Sequence, residues 1–211
     1  IGGAMANTFL KAQGVEIGDS LVDDDELHIA HDIMDEARQE AKKRDFVFYL
    51  PQDGVVSTEV TSKTKTRIVD WDARVIAEIE AYPAKPTRSS GIVAKHEKIL
   101  DIGPFSGAFI AGAIQLVDTV VWNGTMGVSE TPALHGPIGP FAHGTELVIE
   151  ALVGQYGHKP FSVIGGGDTT GYLEERGMTD MFSHVSTGGG ASLELMSGKD
   201  LPGISVLWNK D

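Results

Sequence analysis

Between Glu26 and Arg44 the apolar residues Leu27, Ala30, Met34, Ala37 and Ala41 recur at three- and four-residue steps. That spacing gathers them on one side of an α-helix. The preceding Asp23-Asp24-Asp25 run suits the positive end of a helix dipole, so the pattern predicts an amphipathic helix turned toward a core. Phe46-Val47-Phe48-Tyr49-Leu50 follows and is stopped by Pro51. A short, unbroken apolar run of this kind predicts a strand buried on both faces.

The helix-then-strand rhythm returns twice. A helical segment from Gly107 to Leu116 precedes Thr119-Val120-Val121-Trp122, and another from Thr145 to Tyr156 precedes Phe161-Ser162-Val163-Ile164. Alternation of this type predicts an α/β fold with a largely parallel sheet and helices on its faces. Ligands of such sheets bind at the carboxyl ends of the strands, where this chain carries mostly Gly, Asn, Asp and Thr. Ile1-Gly2-Gly3-Ala4-Met5-Ala6 reads as a strand end turning directly into a helix, as if the chain begins within an element. Asp53 to Leu100 is the least legible stretch, rich in Thr, Ser and Lys and punctuated by Pro83, Pro86 and Gly91. Loops, a helix near Ala73 to Ala81 and edge strands are expected there. Neither a repeat nor a linker divides the sequence, so residues 1–211 are expected to form one domain.

Composition narrows the function classes. With 41% hydrophobic and 22% charged residues in 211, the chain has the balance of a globular domain. Its formal charge of -13 argues against nucleic acid or an anionic membrane as partner, since both are bound by clustered Lys and Arg. Cysteine is absent, which excludes disulfides, thiolate nucleophiles and zinc-thiolate sites. No apolar run approaches the roughly 20 residues of a membrane span, and no secretory signal opens the sequence. A soluble, cytoplasmic protein is the expectation. The 26 glycines collect in runs such as Gly165-Gly166-Gly167 and Gly188-Gly189-Gly190, which makes the backbone itself a functional candidate.

Those runs sit where a phosphate site would be built. Val163-Ile164-Gly165-Gly166-Gly167-Asp168-Thr169-Thr170 runs from an apolar strand through glycines into a helix. Glycines let the backbone approach an anion, and the first-turn N–H groups favour negative charge. Asp168 suits a Mg²⁺ ion lying between it and phosphate oxygens, and Thr169 can donate to phosphate. The same pattern also serves a purely structural end, with Asp168 as a helix cap. Ser186-Thr187-Gly188-Gly189-Gly190-Ala191-Ser192-Leu193-Glu194 repeats the arrangement, although alone it reads as a tight turn. A third segment, Trp122-Asn123-Gly124-Thr125-Met126-Gly127-Val128-Ser129-Glu130, offers an amide and a terminal acid suited to a ribose or base, or else a plain Asn-Gly turn.

Other chemistries find no support. A Walker-type loop is missing, as is a Gly-x-Gly-x-x-Gly between strand and helix. His28 and His31 are three apart and do not form the metalloprotease pattern. His184, just before the second glycine turn, reads as an ordinary strand-end residue.

Taken jointly and in this order, the Trp-Asn-Gly, Gly-Gly-Gly-Asp-Thr and Thr-Gly-Gly-Gly-Ala-Ser turns resemble the nucleotide-binding domain of phosphoglycerate kinase. Gly2-Gly3-Ala4-Met5-Ala6, Leu50-Pro51-Gln52-Asp53, Asp101-Ile102-Gly103-Pro104 and Leu201-Pro202-Gly203 extend the likeness over most of the chain, leaving Lys63 to Lys98 poorly matched. The resemblance implies a three-layer α/β/α, Rossmann-like domain, the C-terminal half of a monomeric two-domain kinase of glycolysis. That enzyme transfers a phosphoryl group between 1,3-bisphosphoglycerate and ADP. It further implies that Gly3, Ala4 and Leu21 border the adenine of ATP or ADP, Asn123 contacts phosphates and Glu130 takes the ribose. Asp168 faces Mg²⁺, Thr169 meets phosphate, and the amides of Gly166, Gly167, Gly189 and Gly190 hold the migrating phosphoryl group.

The sequence departs from the family at Ala4 for the third glycine of the first motif, Thr125 for a proline and Ser129 for a phenylalanine. The family's N-terminal domain, which binds 3-phosphoglycerate or 1,3-bisphosphoglycerate, is not in this sequence, nor is the lysine-bearing segment before the first motif. Negligible turnover is therefore expected of this segment alone. Two other readings stay open at this point: a nucleotide-binding module without catalysis, and a different α/β enzyme of nucleotide sugars or dinucleotides.

Overall fold

The computed structural model describes residues 1–71, 91–186 and 188–208. They fall into two compact units. One comprises Ile1–Ala111 with Thr125–Val148, the other Gly112–Gly124 with Ile149–Asp211.

In the first unit, helices α1 (Gly3–Ala12) and α2 (Leu27–Glu40) pack through Phe9, Ala30 and Met34, which are all buried. The apolar spacing of the sequence thus faces a core as expected. The helix stops at Glu40, whose carboxylate is drawn onto Lys43 and Arg44 in the turns that follow. The predicted strand at Phe46 to Leu50 requires correction. It pairs with no strand among the described residues, and Val47 is 79% exposed. Its apolar residues serve helices instead, since Phe48 and Leu50 pack on the Phe9 cluster and Tyr49 stacks on Phe109 with ring centroids 4.2 Å apart. The backbone nitrogen of Ile1 donates to the Tyr49 carbonyl at 2.9 Å.

The poorly legible stretch holds a three-stranded antiparallel sheet of order β2-β1-β3, made of β1 (Asp53–Ser57), β2 (Arg67–Asp70) and β3 (Lys98–Ile102). Val55 lies opposite Ile68 on one side and Asp101 on the other, with a register shift between Val55 and Val56. Val56, Val69 and Val93 form its small core, with Trp71 and Ile99 packed against them. The helix expected near Ala73 to Ala81 lies outside the described residues.

Two buried carboxylates in this sheet each cap a helix from a distance. Asp53 accepts the N–H groups of Phe105 (3.0 Å) and Ser106 (2.9 Å) and the Ser106 hydroxyl (2.6 Å), closing the first turn of α3 (Pro104–Ile114). Asp101 does the same for α4 (His143–Leu152), accepting the Gly144 N–H at 2.9 Å. A carboxylate at a helix N-terminus satisfies orphan donors and complements the dipole.

The second unit is built on a parallel sheet of order β4-β5-β6, with β4 (Thr119–Asn123), β5 (Phe161–Gly165) and β6 (His184–Val185). Trp122 pairs in register with Ile164 and Asn123 with Gly165, so both strands end at one level. Helices α5 (Gly167–Glu175) and α6 (Gly189–Met196) each start just beyond a strand end, and α7 (Pro202–Trp208) follows. Ile164 and Leu173 are fully buried, fastening α5 to the sheet. The parallel strands and their helices are those the rhythm of the sequence predicts.

Candidate functional site

At the carboxyl end of the parallel sheet the two glycine turns meet. A β-carbon on Gly189 would lie 2.8 Å from the Gly166 Cα and closer still to its nitrogen, so only glycine allows the two backbones to approach this far. Gly166 has φ +91°, a conformation that side chains strain, and occupies the cap position of α5. Gly188 holds the same position on α6. Neither cap residue carries a side chain that could accept from the first-turn N–H groups, so both helix N-termini present backbone donors at one place.

Asn123, the exposed last residue of β4, lies at this meeting point. Its amide nitrogen is 3.5 Å from the Gly189 carbonyl, and β-carbons on Gly165 and Gly166 would stand 3.0 Å and 3.1 Å from its side-chain atoms. Asp168 is exposed in the first turn of α5, and Gly167 and Gly190 have open space where a side chain would be. The α6 turn is stiffened by Ser192, whose hydroxyl donates to the Gly188 carbonyl at 3.0 Å and lies 3.1 Å from the Ser186 hydroxyl.

Thr169 differs from expectation. Its side chain is fully buried, and its hydroxyl accepts the Gly124 N–H at 3.0 Å. The hydroxyl therefore ties the Asn123-Gly124 turn to the first turn of α5.

The remaining expected residues belong to the first unit, whose boundary falls between Gly124 and Thr125 and so divides the third motif. Gly3 opens α1 with φ +62°, and a β-carbon there would lie 2.8 Å from the Thr125 carbonyl. Ala4, Leu21 and Glu130 are exposed, and the Leu21 carbonyl accepts from the Asn7 side chain at 3.0 Å. Among the described residues no three His, Asp or Glu side chains converge as a metal cage. The donor set is thus two sheaves of backbone N–H groups with a lone exposed carboxylate. It fits a metal ion arriving on a phosphate chain, since magnesium commonly takes one or two carboxylates and completes its shell with phosphate and water.

The phosphoglycerate kinase family model matches residues 1–199. The chain belongs to the phosphoglycerate kinase family. Phosphoglycerate kinase of Desulforapulum autotrophicum is 43% identical over 207 residues, covering 98% of this chain and 44% of that protein. Phosphoglycerate kinase of Dictyoglomus turgidum is 39% identical over 210 residues, with 100% and 45% covered. The solved phosphoglycerate kinase from Coxiella burnetii superposes with a TM-score of 0.77 at 34% identity, covering 98% of this chain and 44% of that one. The Pyrococcus horikoshii enzyme gives 0.70 at 26% identity, with the same coverage. The chain thus spans less than half the length of the phosphoglycerate kinases it matches, and its α/β, Rossmann-like fold is theirs.

Sequence reading gave no structural role to three buried residues of the first unit. Asp53, Asp101 and Thr145 are all buried and all bond to loop or helix-end backbone. The signal was present for Asp101, an acid flanked by Ile99, Leu100 and Ile102, where a charge inside an apolar run demands partners.

Proposed function

We propose that this chain is the nucleotide-binding half of a phosphoglycerate kinase, holding ATP or ADP with Mg²⁺ while a phosphoryl group passes to or from the glycerate substrate. The observation that carries this reading is the backbone contact between Gly166 and Gly189, which sets two glycine-capped helix N-termini side by side at the strand ends. Two such donor clusters suit a polyphosphate and suit the equatorial charge that spreads as the phosphoryl group moves. Amides of Gly166, Gly167, Gly189 and Gly190 hold that group, Asn123 contacts phosphate oxygens, and Asp168 faces the metal. Thr169 contributes its backbone N–H, its hydroxyl being engaged with Gly124.

Gly3, Ala4 and Leu21 border the adenine, Glu130 takes the ribose, and residues 1–211 serve as a single nucleotide-binding domain. 3-Phosphoglycerate or 1,3-bisphosphoglycerate is held by the part of the enzyme that lies outside this chain's span. The complete enzyme works as a cytoplasmic monomer, and this segment alone turns over negligibly, lacking the cationic glycerate site. Among the described residues no helix is long and apolar enough to cross a membrane.

Calorimetric titration with Mg-ADP, Mg-ATP and NAD tests the assignment. Binding of the adenine nucleotides in preference to NAD is expected, and preferential NAD binding rejects it. A nucleotide-binding module without catalysis is the second reading, favoured by Ala4, Thr125 and Ser129 in the first and third motifs. Persistent absence of phosphotransfer after mixing with a separately made N-terminal half, despite nucleotide binding, would favour it.

A further inference from the structure

Asp101 ends a chain of contacts that leads to the loop carrying Glu130. Its side chain is 2% exposed at the carboxyl end of β3. One carboxylate oxygen accepts the Ile102 N–H at 2.9 Å, and the other accepts the Gly144 N–H at 2.9 Å in the first turn of α4. The His143 N–H is directed to the same carboxylate. Gly127 packs against it so closely that a β-carbon there would stand 2.5 Å from Oδ1, and a β-carbon on Gly144 would stand equally near.

From this point the Thr125–Glu130 loop is fixed by three further bonds. The Met126 N–H donates to the hydroxyl of fully buried Thr145, one residue beyond Gly144, at 3.0 Å. The Val128 N–H donates to the Leu100 carbonyl at 2.9 Å, next to Asp101 in the strand. The Thr125 hydroxyl closes onto the Gly127 carbonyl at 2.9 Å. On the loop's other side, the Thr125 carbonyl is the group that Gly3 leaves room for.

We propose that Asp101 is a positioning residue for the nucleoside end of the nucleotide, holding the Thr125–Glu130 loop in register through Gly127 and the first turn of α4. It touches no ligand. Its effect is transmitted by where it places α4's first turn, and hence Thr145 and Met126. The inference rests on the proposed assignment of Gly3 and Glu130 to adenosine, and it adds that their placement depends on a buried carboxylate that no glycine motif contains. Burial raises the carboxyl of Asp101 to about 7, so the group is held at an electrostatic disadvantage that a purely apolar residue would not incur.

The test separates the two ends of the ligand. Adenosine and Mg-pyrophosphate are titrated into the wild-type chain, into Asp101→Asn, which replaces one of the two accepting oxygens with a donor, and into Thr145→Val, which keeps side-chain shape but removes the bond to Met126. The expected result is a loss of about tenfold or more in adenosine affinity in both variants, with Mg-pyrophosphate affinity within about twofold of wild type. Adenosine affinity unchanged in either variant, or a parallel loss of both ligands in the variants, overturns the proposal. If Asp101→Asn does not fold, Thr145→Val decides alone. Absence of adenosine binding in the wild type itself, with Mg-pyrophosphate still bound, rejects the assignment of Gly3 and Glu130 and the inference with it, while the phosphate end of the proposed function stands.

Discussion

Gly189 rests against Gly166 with no room for a β-carbon between them, so two turns 23 residues apart in sequence behave as one surface. The obstructing atoms are backbone and cannot rotate away. Gly189→Ala is therefore expected to push the turns apart, costing about 1–3 kcal/mol of stability and weakening Mg-ADP binding at least about tenfold. Gly167→Ala gives the contrast. Its β-carbon would meet nothing within 4 Å in the protein, and alanine favours the helix by about 0.5–1 kcal/mol. Stability equal to or above wild type is expected, together with weaker nucleotide binding, because the methyl group would stand where the proposed function puts the phosphate. Thermal unfolding and calorimetry on both variants read these outcomes, and equal behaviour of the two argues against the shared surface.

Asp168 is exposed in the first turn of α5. Asp168→Ala should leave unfolding within about 1 kcal/mol of wild type, the scale of a charge near a helix dipole. Its effect should appear in the ligand: ADP affinity is expected to rise less steeply with Mg²⁺ concentration than in wild type. Titrating ADP across a magnesium series checks this, and an unaltered magnesium dependence removes Asp168 from metal binding.

The legible part of the fold was the part governed by local periodicity. Leu27 to Ala41 declared a helix, and Phe161 to Gly167 declared a strand running through a glycine turn into a helix, because in both the pattern and the contacts coincide. Phe46 to Leu50 misled because an apolar run reports that side chains are covered without saying by what. Here Phe9, Met34 and Phe109 cover them, and no ladder among the described residues does. The antiparallel sheet was obscure because its strands are only four or five residues long and its partners, such as Val55 and Asp101, are far apart in sequence. At the site, glycine spacing revealed both turns. The inward rotation of Thr169 was invisible, since it depends on Gly124, a residue 45 positions away.

Asp53 supports α3 as Asp101 supports α4, but without contact to the Thr125–Glu130 loop in any of its bonds. Asp53→Ala strands the N–H groups of Phe105 and Ser106 and opens space beside Gly103. A loss of roughly 2–4 kcal/mol is expected from a removed cap and unsatisfied buried donors. Urea unfolding measures it. Nucleotide affinity of the folded fraction should stay near wild type, so a large loss of affinity at unchanged stability counts against a structural role.

The pH dependence of stability follows from Asp101 with a definite sign. Its carboxyl is raised from an ordinary value of 3.8 to about 7 by burial, against the opposing pull of the Gly144, Ile102 and His143 amides. Between these values the folded protein retains a proton that the unfolded chain has lost, so stability falls as pH rises from about 4 to about 7 and is level in this respect above it. A shift of this size corresponds to a few kcal/mol, on the order of 1.4 kcal/mol for each pH unit crossed. Glu97 works in the opposite sense at the acid end, because hydrogen bonding to Arg67 lowers its carboxyl. Its contribution is present above the ordinary carboxylate range and is lost on acidification through its lowered value. Urea midpoints from pH 5 to 8 should therefore decline in the wild type and decline much less in Asp101→Asn, which cannot ionise. Parallel slopes in the two proteins would show that Asp101 is already ionised at pH 5, and that its amide partners outweigh the cost of burial.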